Sequence, residues 1–84
     1  MLFCYITFRS ITGAQLGAKL LNRAGLNHLM MRSPQSMAKN GCGYALRVRG
    51  GDFYTAVNLL QQGNAPYQKL FGDYGGAGME EVAL

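Results

Sequence analysis

Residues 43–49 read Gly43-Tyr44-Ala45-Leu46-Arg47-Val48-Arg49. Tyr44, Leu46 and Val48 fall on one side of an extended chain, and Ala45, Arg47 and Arg49 fall on the other. A period of two with one apolar and one polar face marks a half-buried β-strand. Gly50 and Gly51 break it, and Asp52 is placed to cap a helix over residues 53–62. Phe53, Ala56, Val57 and Leu60 share one face of that helix, and Gly63 stops it. A strand followed closely by an amphipathic helix is half of an α+β unit, and the rest of the chain holds the other half.

Residues 2–9 (LFCYITFR) are β-branched and aromatic, with Leu2, Cys4, Ile6 and Phe8 on one face and Phe3, Tyr5 and Thr7 on the other. A strand apolar on both faces belongs in the middle of a sheet. Ser10 or Thr12 caps the helix that follows. In it Leu16, Lys19, Leu20 and Arg23 recur every three or four residues, Ala14, Ala18 and Leu21 fill the adjoining stripe, and Gly25 is the stop. Residues 26–32 (LNHLMMR) read as a second strand, 33–41 as a loop, and 67–74 (YQKLFGDY) as a fourth strand. The resulting order, β-α-β-β-α-β, predicts an α+β ferredoxin-like sandwich: a four-stranded antiparallel sheet with both helices on one face. One such domain spans residues 1–74, and residues 75–84 form a Gly-containing tail with Glu80 and Glu81. The sheet face away from the helices, lined by Tyr5, Thr7, Ala45 and Arg47, is left open to a partner.

Eighty-four residues support one small core and no second domain. With 49% hydrophobic and 14% charged residues the chain is foldable but thinly charged, and subunit contacts would help it. A homo-oligomer is therefore expected. The net charge of +4 is dispersed over Lys and Arg at 9, 19, 23, 32, 39, 47, 49 and 69, which disfavours a nucleic-acid partner. No stretch approaches the roughly 18 apolar residues of a membrane span, and residues 1–8 lack the length and cleavage site of a secretory leader. The chain reads as cytoplasmic, with both cysteines as free thiols.

Four acids and one His leave little acid–base equipment, so a conventional hydrolase or metal enzyme is disfavoured; no metal or cofactor is expected. The helix-side loop at residues 10–13 has no CxxC pair for a metal chaperone, and the strand over residues 43–49 lacks the aromatics that stack RNA bases. His28, beside Leu29 and Met30, reads as structural. Cys4 reads as core filler within the first strand.

The sharpest local feature is Asn40-Gly41-Cys42-Gly43. Two glycines leave the thiol uncrowded and let the neighbouring amides turn toward an anion, while Lys39 and Arg32 can favour the thiolate. The same residues also fit a buried cysteine that begins the strand. With the first and third strands read as running parallel, Cys4 and Cys42 would lie near the same sheet end. Arg47 and Arg49 on the polar face form a solvated edge or a site for a small anion.

Tyr5-Ile6-Thr7-Phe8, the helix end Leu20-Leu21-Asn22-Arg23-Ala24-Gly25-Leu26, Pro34, and Cys42-Gly43-Tyr44-Ala45-Leu46-Arg47-Val48 together resemble the Se/S-carrier-protein-like family of small bacterial domains. The resemblance spans about residues 4–72 and is most specific at Cys-Gly-x-Ala-Leu-Arg. It implies a carrier rather than an enzyme, with the family's motif cysteine at Cys42, which accepts a chalcogen atom, and its motif glycine at Gly43; Gly41, Lys39, Arg32 and Arg47 are the binding residues expected to serve it. The partners it implies are proteins that donate and accept sulfur or selenium. The other reading kept open is a structural or small-anion-binding module that oligomerises through the open sheet face.

Overall fold

A computed structural model describes residues 1–33, 43–76 and 79–83. The elements run β1 (Phe3–Phe8), α1 (Ile11–Arg23), β2 (His28–Arg32), β3 (Tyr44–Arg49), a single 3-10 turn (Gly50–Asp52), α2 (Phe53–Gln62), β4 (Tyr67–Asp73) and β5 (Glu80–Val82). The architecture is α+β, with one antiparallel sheet in the order β2-β3-β1-β4-β5 and two helices.

Two expectations need correcting. The sheet has five strands rather than four, because Glu80–Val82 pairs with Leu70, Phe71 and Gly72 at the β4 edge. Val82 lies half-buried against the core, and that apolar contact draws the strand in from the segment read as a tail. Secondly, β1 and β3 run antiparallel, with Phe3 opposite Arg49 and Phe8 opposite Tyr44. Cys4 faces Val48 at one end of the sheet, so Gly43 begins β3 about 16 Å away at the other end. The physical reason is the central position of β1. Each helical crossover carries the chain over an intervening strand, which must then run opposite to the two it separates.

Alternation along β1 sorts its side chains as the sequence implied. Cys4, Ile6 and Phe8 point toward the helices and join Leu46, Val48 and Leu70 in the main core. From the helices come Ala14, Leu21, Phe53, Ala56, Val57 and Leu60. Leu16 is exposed, and Gly13, Ala14, Gly17 and Leu21 are the buried face of α1. Small residues win that face because α1 lies close to the sheet: a Cβ on Gly17 would stand 2.8 Å from Phe8 Cζ and 3.0 Å from Leu46 Cδ1.

The helix ends follow local chemistry. Ser10 Oγ accepts from the Gly13 N–H at 3.1 Å, so Ser10 and not Thr12 is the N-cap of α1. At its other end the Gly25 N–H donates to Asn22 and the Leu26 N–H donates to Leu21, each at 3.0 Å, with Gly25 at φ +70°. That is a Schellman stop, which the absent Cβ of glycine permits. Asp52 stands at the N-cap position of α2, but its side chain makes no capping bond, because the 3-10 turn continues straight into the helix.

The sheet face opposite the helices is less bare than the sequence implied. Tyr5 and Phe71 are buried there, with Phe3, Met31 and Met79 packed half-buried around them. Thr7 is also buried, and its Oγ1 accepts from the Lys69 N–H at 3.1 Å where the β1–β4 register slips. The hydroxyl replaces a ladder bond that the irregularity removes.

Candidate functional site

The β2–β3 hairpin is where the sequence places its thiol motif. The Ser33 N–H donates to the Gly43 carbonyl at 3.0 Å, one step beyond the Arg32–Tyr44 pair that ends the ladder. A backbone bond therefore closes the base of the 34–42 segment. Arg32 is exposed and places its guanidinium carbon 5.8 Å from the centre of the Tyr44 ring. This cation–π contact holds a positive charge beside Gly43.

Gly43 has a steric requirement of its own. A Cβ there would lie 3.1 Å from the Phe8 carbonyl oxygen and 3.4 Å from Ser33 Oγ. Ser33 Oγ is itself buried and has no hydrogen-bond partner among the described residues. The start of α1 follows Phe8 by three residues, so the positive end of that helix stands at the same end of the sheet as Gly43. No acidic residue occupies the first turn of α1 to offset it.

Of the residues the sequence singled out, Arg32 and Gly43 are thus neighbours. Arg47 is not with them. It stands four residues further along β3, opposite Leu29, on the other sheet face, with its guanidinium carbon 4.5 Å from the centre of the Phe3 ring. Lys39, Gly41 and Cys42 lie outside the described residues.

The family model described as "Putative Se/S carrier protein-like" matches residues 3–71. The chain belongs to that family. No curated protein and no solved structure matches it. The span that matches the Se/S carrier protein-like family covers β1 through most of β4, and it includes both cysteines.

Of the two, Cys4 lies among the described residues. Cys4 of this Se/S carrier protein-like chain is a free, fully buried thiol. Burial pushes its pKa up to about 12, because the surrounding apolar side chains cannot solvate a thiolate. At neutral pH Cys4 is therefore a protonated packing group, as the sequence implied. Among the described residues no three His, Cys, Asp or Glu side chains gather closely enough to hold a metal ion. Among the described residues no helix is long and apolar enough to cross a membrane.

A concave feature lies at the far end of the sheet from Gly43. It is a groove of about 500 Å³ whose lining includes Phe3, His28, Leu29, Arg47 and Arg49. His28 Nδ1 donates to the Leu26 carbonyl at 2.9 Å. The sequence offered no sign of the groove, because Phe3 and His28 come together only through the pairing of β1 and β2 with β3.

Proposed function

We propose that this protein is a selenium or sulfur carrier in which Cys42 is the accepting thiol. The observation that carries the reading is the family match over residues 3–71, a span that includes Cys42 and the strand that follows it. The chemistry needs only a thiolate and room to approach it. The Cys42 thiolate attacks the outer sulfur of a donor protein's persulfide. The donor's S–S bond breaks, the donor leaves as a thiolate, and a persulfide is formed on Cys42. Attack by an acceptor thiolate on that outer sulfur repeats the exchange and restores Cys42. No oxidant or cofactor is consumed.

The surroundings of Gly43 support this reading. Arg32 supplies positive charge beside the strand start, and the α1 N-terminus adds its dipole at the same sheet end. Both favour a thiolate. Lys39 and Gly41 belong to the same proposal through their nearness in sequence, and Arg47 through the family resemblance. We read the order β2-β3-β1-β4 as a ferredoxin-like sandwich with β5 added at one edge. We place the carrier in a reducing cytoplasm, where its thiols stay free and its partners are sulfur- or selenium-handling proteins.

The test is chalcogen uptake. The purified protein, treated with inorganic polysulfide, is expected to gain one sulfur atom on Cys42, located by peptide mass spectrometry. The Cys42→Ser variant gains none, and the Cys4→Val variant gains it as the parent does. Equal uptake by the Cys42→Ser variant, or no uptake by the parent, overturns the proposal.

A further inference from the structure

The sheet face away from the helices carries charge in a pattern that the register makes plain. β1 is the middle strand of five. In one row across the sheet, Arg49 of β3 and Asp73 of β4 flank Phe3. In the next row on that face the order is Leu29, Arg47, Tyr5, Phe71, Glu81. Positive charge thus lies on the β3 side of β1 and negative charge on the β4–β5 side, with the aromatic rings of Phe3 and Tyr5 on the line between. Lys69 is the exception on the β4 side, and it pairs within the chain with Glu81 at 3.6 Å.

A face that changes sign across its midline is complementary to itself under one symmetry operation. We propose that two copies of this chain pack open face to open face about a two-fold axis parallel to β1. That axis keeps each row at its own level and exchanges the two sides of the sheet. Arg49 of each copy then meets Asp73 of the other. Arg47 of each copy comes over Phe71 of the other, with Glu81 on the adjoining strand. Lys69 comes over Ala45, where it meets no cation. The alternative in-plane two-fold, across the strands, lays β3 on β3 and brings Arg47 toward Arg47, which like-charge repulsion opposes.

The apolar part of the face fits sheet-on-sheet packing. Leu29 is 46% exposed, and Phe3, Met31 and Met79 are half-buried around Tyr5 and Phe71. Two sheets about 10 Å apart would cover these side chains from the uncovered side. Five strands of three to seven residues, at about 3.3 Å per residue and about 4.8 Å spacing, give a face of roughly 430 Å² per copy, below the roughly 800 Å² of a standard interface. The dimer is therefore expected to be weak. This inference does not depend on the chemistry of Cys42.

Sedimentation equilibrium over a concentration series tests it. The parent protein is expected to pass from monomer to dimer, with dissociation favoured by added salt. Arg49→Glu and Asp73→Lys should each raise the dimer Kd at least about tenfold. Lys19→Glu, an equal charge reversal on the exposed side of α1, should leave it unchanged. The deciding arm mixes the two variants. Arg49→Glu supplies two acidic positions and Asp73→Lys supplies two basic ones, so the mixture should form a heterodimer although each variant alone is monomeric. Thermal unfolding of each variant confirms that it is folded before mixing. A parent that stays monomeric up to about 0.5 mM, a dimer indifferent to both reversals, or folded variants that fail to associate on mixing would each overturn the proposal.

Discussion

Gly17 of α1 lies directly on the ring of Phe8 in β1, so close that a Cβ on the glycine would stand 2.8 Å from the ring tip. The same methyl would meet Leu46 Cδ1 at 3.0 Å and Leu60 Cδ2 at 3.2 Å, and all three neighbours are buried. In an exposed helix Gly→Ala stabilises by about 1 kcal/mol. Here overpacking costs more, because a close-packed core has no space to yield. Gly17→Ala is expected to destabilise the fold by about 1–2 kcal/mol net in urea denaturation. Lys19→Ala, exposed on the same helix, should stay within about 0.5 kcal/mol of the parent. A stabilised Gly17→Ala protein would show that α1 does not approach the sheet as described.

Ser10 holds the first turn of α1 through the Gly13 N–H. Ser10→Ala leaves that amide without its partner and should cost about 1 kcal/mol, whereas Thr12→Ala should change little. Equilibrium unfolding of the two variants distinguishes them. Equal losses would return Thr12 to the capping role.

The two thiols should separate kinetically. With its pKa near 12, Cys4 is ionised to only about one part in 10⁴ at pH 8 and is sealed in the core as well. Native iodoacetamide labelling is expected to modify Cys42 and spare Cys4, with both labelled in strong denaturant. Peptide mass spectrometry reads the ratio. Native labelling of Cys4 at the rate of Cys42 contradicts the buried placement.

The raised pKa of Cys4 also has a pH consequence. Folding favours the protonated thiol, so its contribution to stability is complete below the ordinary thiol value of 9.0 and is lost as pH rises from there toward about 12. Stability of the parent should fall more steeply across that window than stability of Cys4→Val, which keeps an apolar side chain and has nothing to ionise. Urea midpoints at pH 8 and pH 10.5 supply the comparison. Parallel slopes would show that the thiol does not report this burial.

A Cβ on Gly43 would stand 3.1 Å from the Phe8 carbonyl oxygen, a contact tight enough that the backbone must give by a few tenths of an ångström. Gly43→Ala is expected to destabilise by about 1 kcal/mol through displacement of the β1–β3 end. Backbone amide exchange should quicken first at Tyr44 and Phe8, the pair that ends the ladder. Protection unchanged at both residues would show that the hairpin end has room to spare.

Much of this protein was legible from local pattern. The alternation in residues 43–49 and the four apolar positions of α2 specified which faces go inward, since those periods come from backbone geometry alone. The stop at Gly25 and the filler role of Cys4 were readable for the same reason. The spacing of Leu16 and Leu20 marked a helix without showing which side lies on the sheet: periodicity weighs hydrophobicity and not size, the side of α1 nearest the sheet had to be the small one, and Gly17 is what fits there. The thiol motif was readable as residue types, while the nearness of Arg32 to Gly43 depended on the pairing of β2 with β3.

Tertiary structure decided the rest, through pairing between distant segments. Glu80–Val82 has too few residues to declare itself a strand, and it becomes one because β4 offers a free edge and Val82 reaches the core. The direction of β1 against β3 put Cys4 and Gly43 at opposite ends of the sheet. It also placed Arg49 and Asp73 on either side of Phe3. Sequence by itself determined which residues face inward, because the periods of helix and strand are local properties of the backbone. Only the folded sheet could set which charges share a row, because register is fixed by hydrogen bonds between strands far apart in the chain.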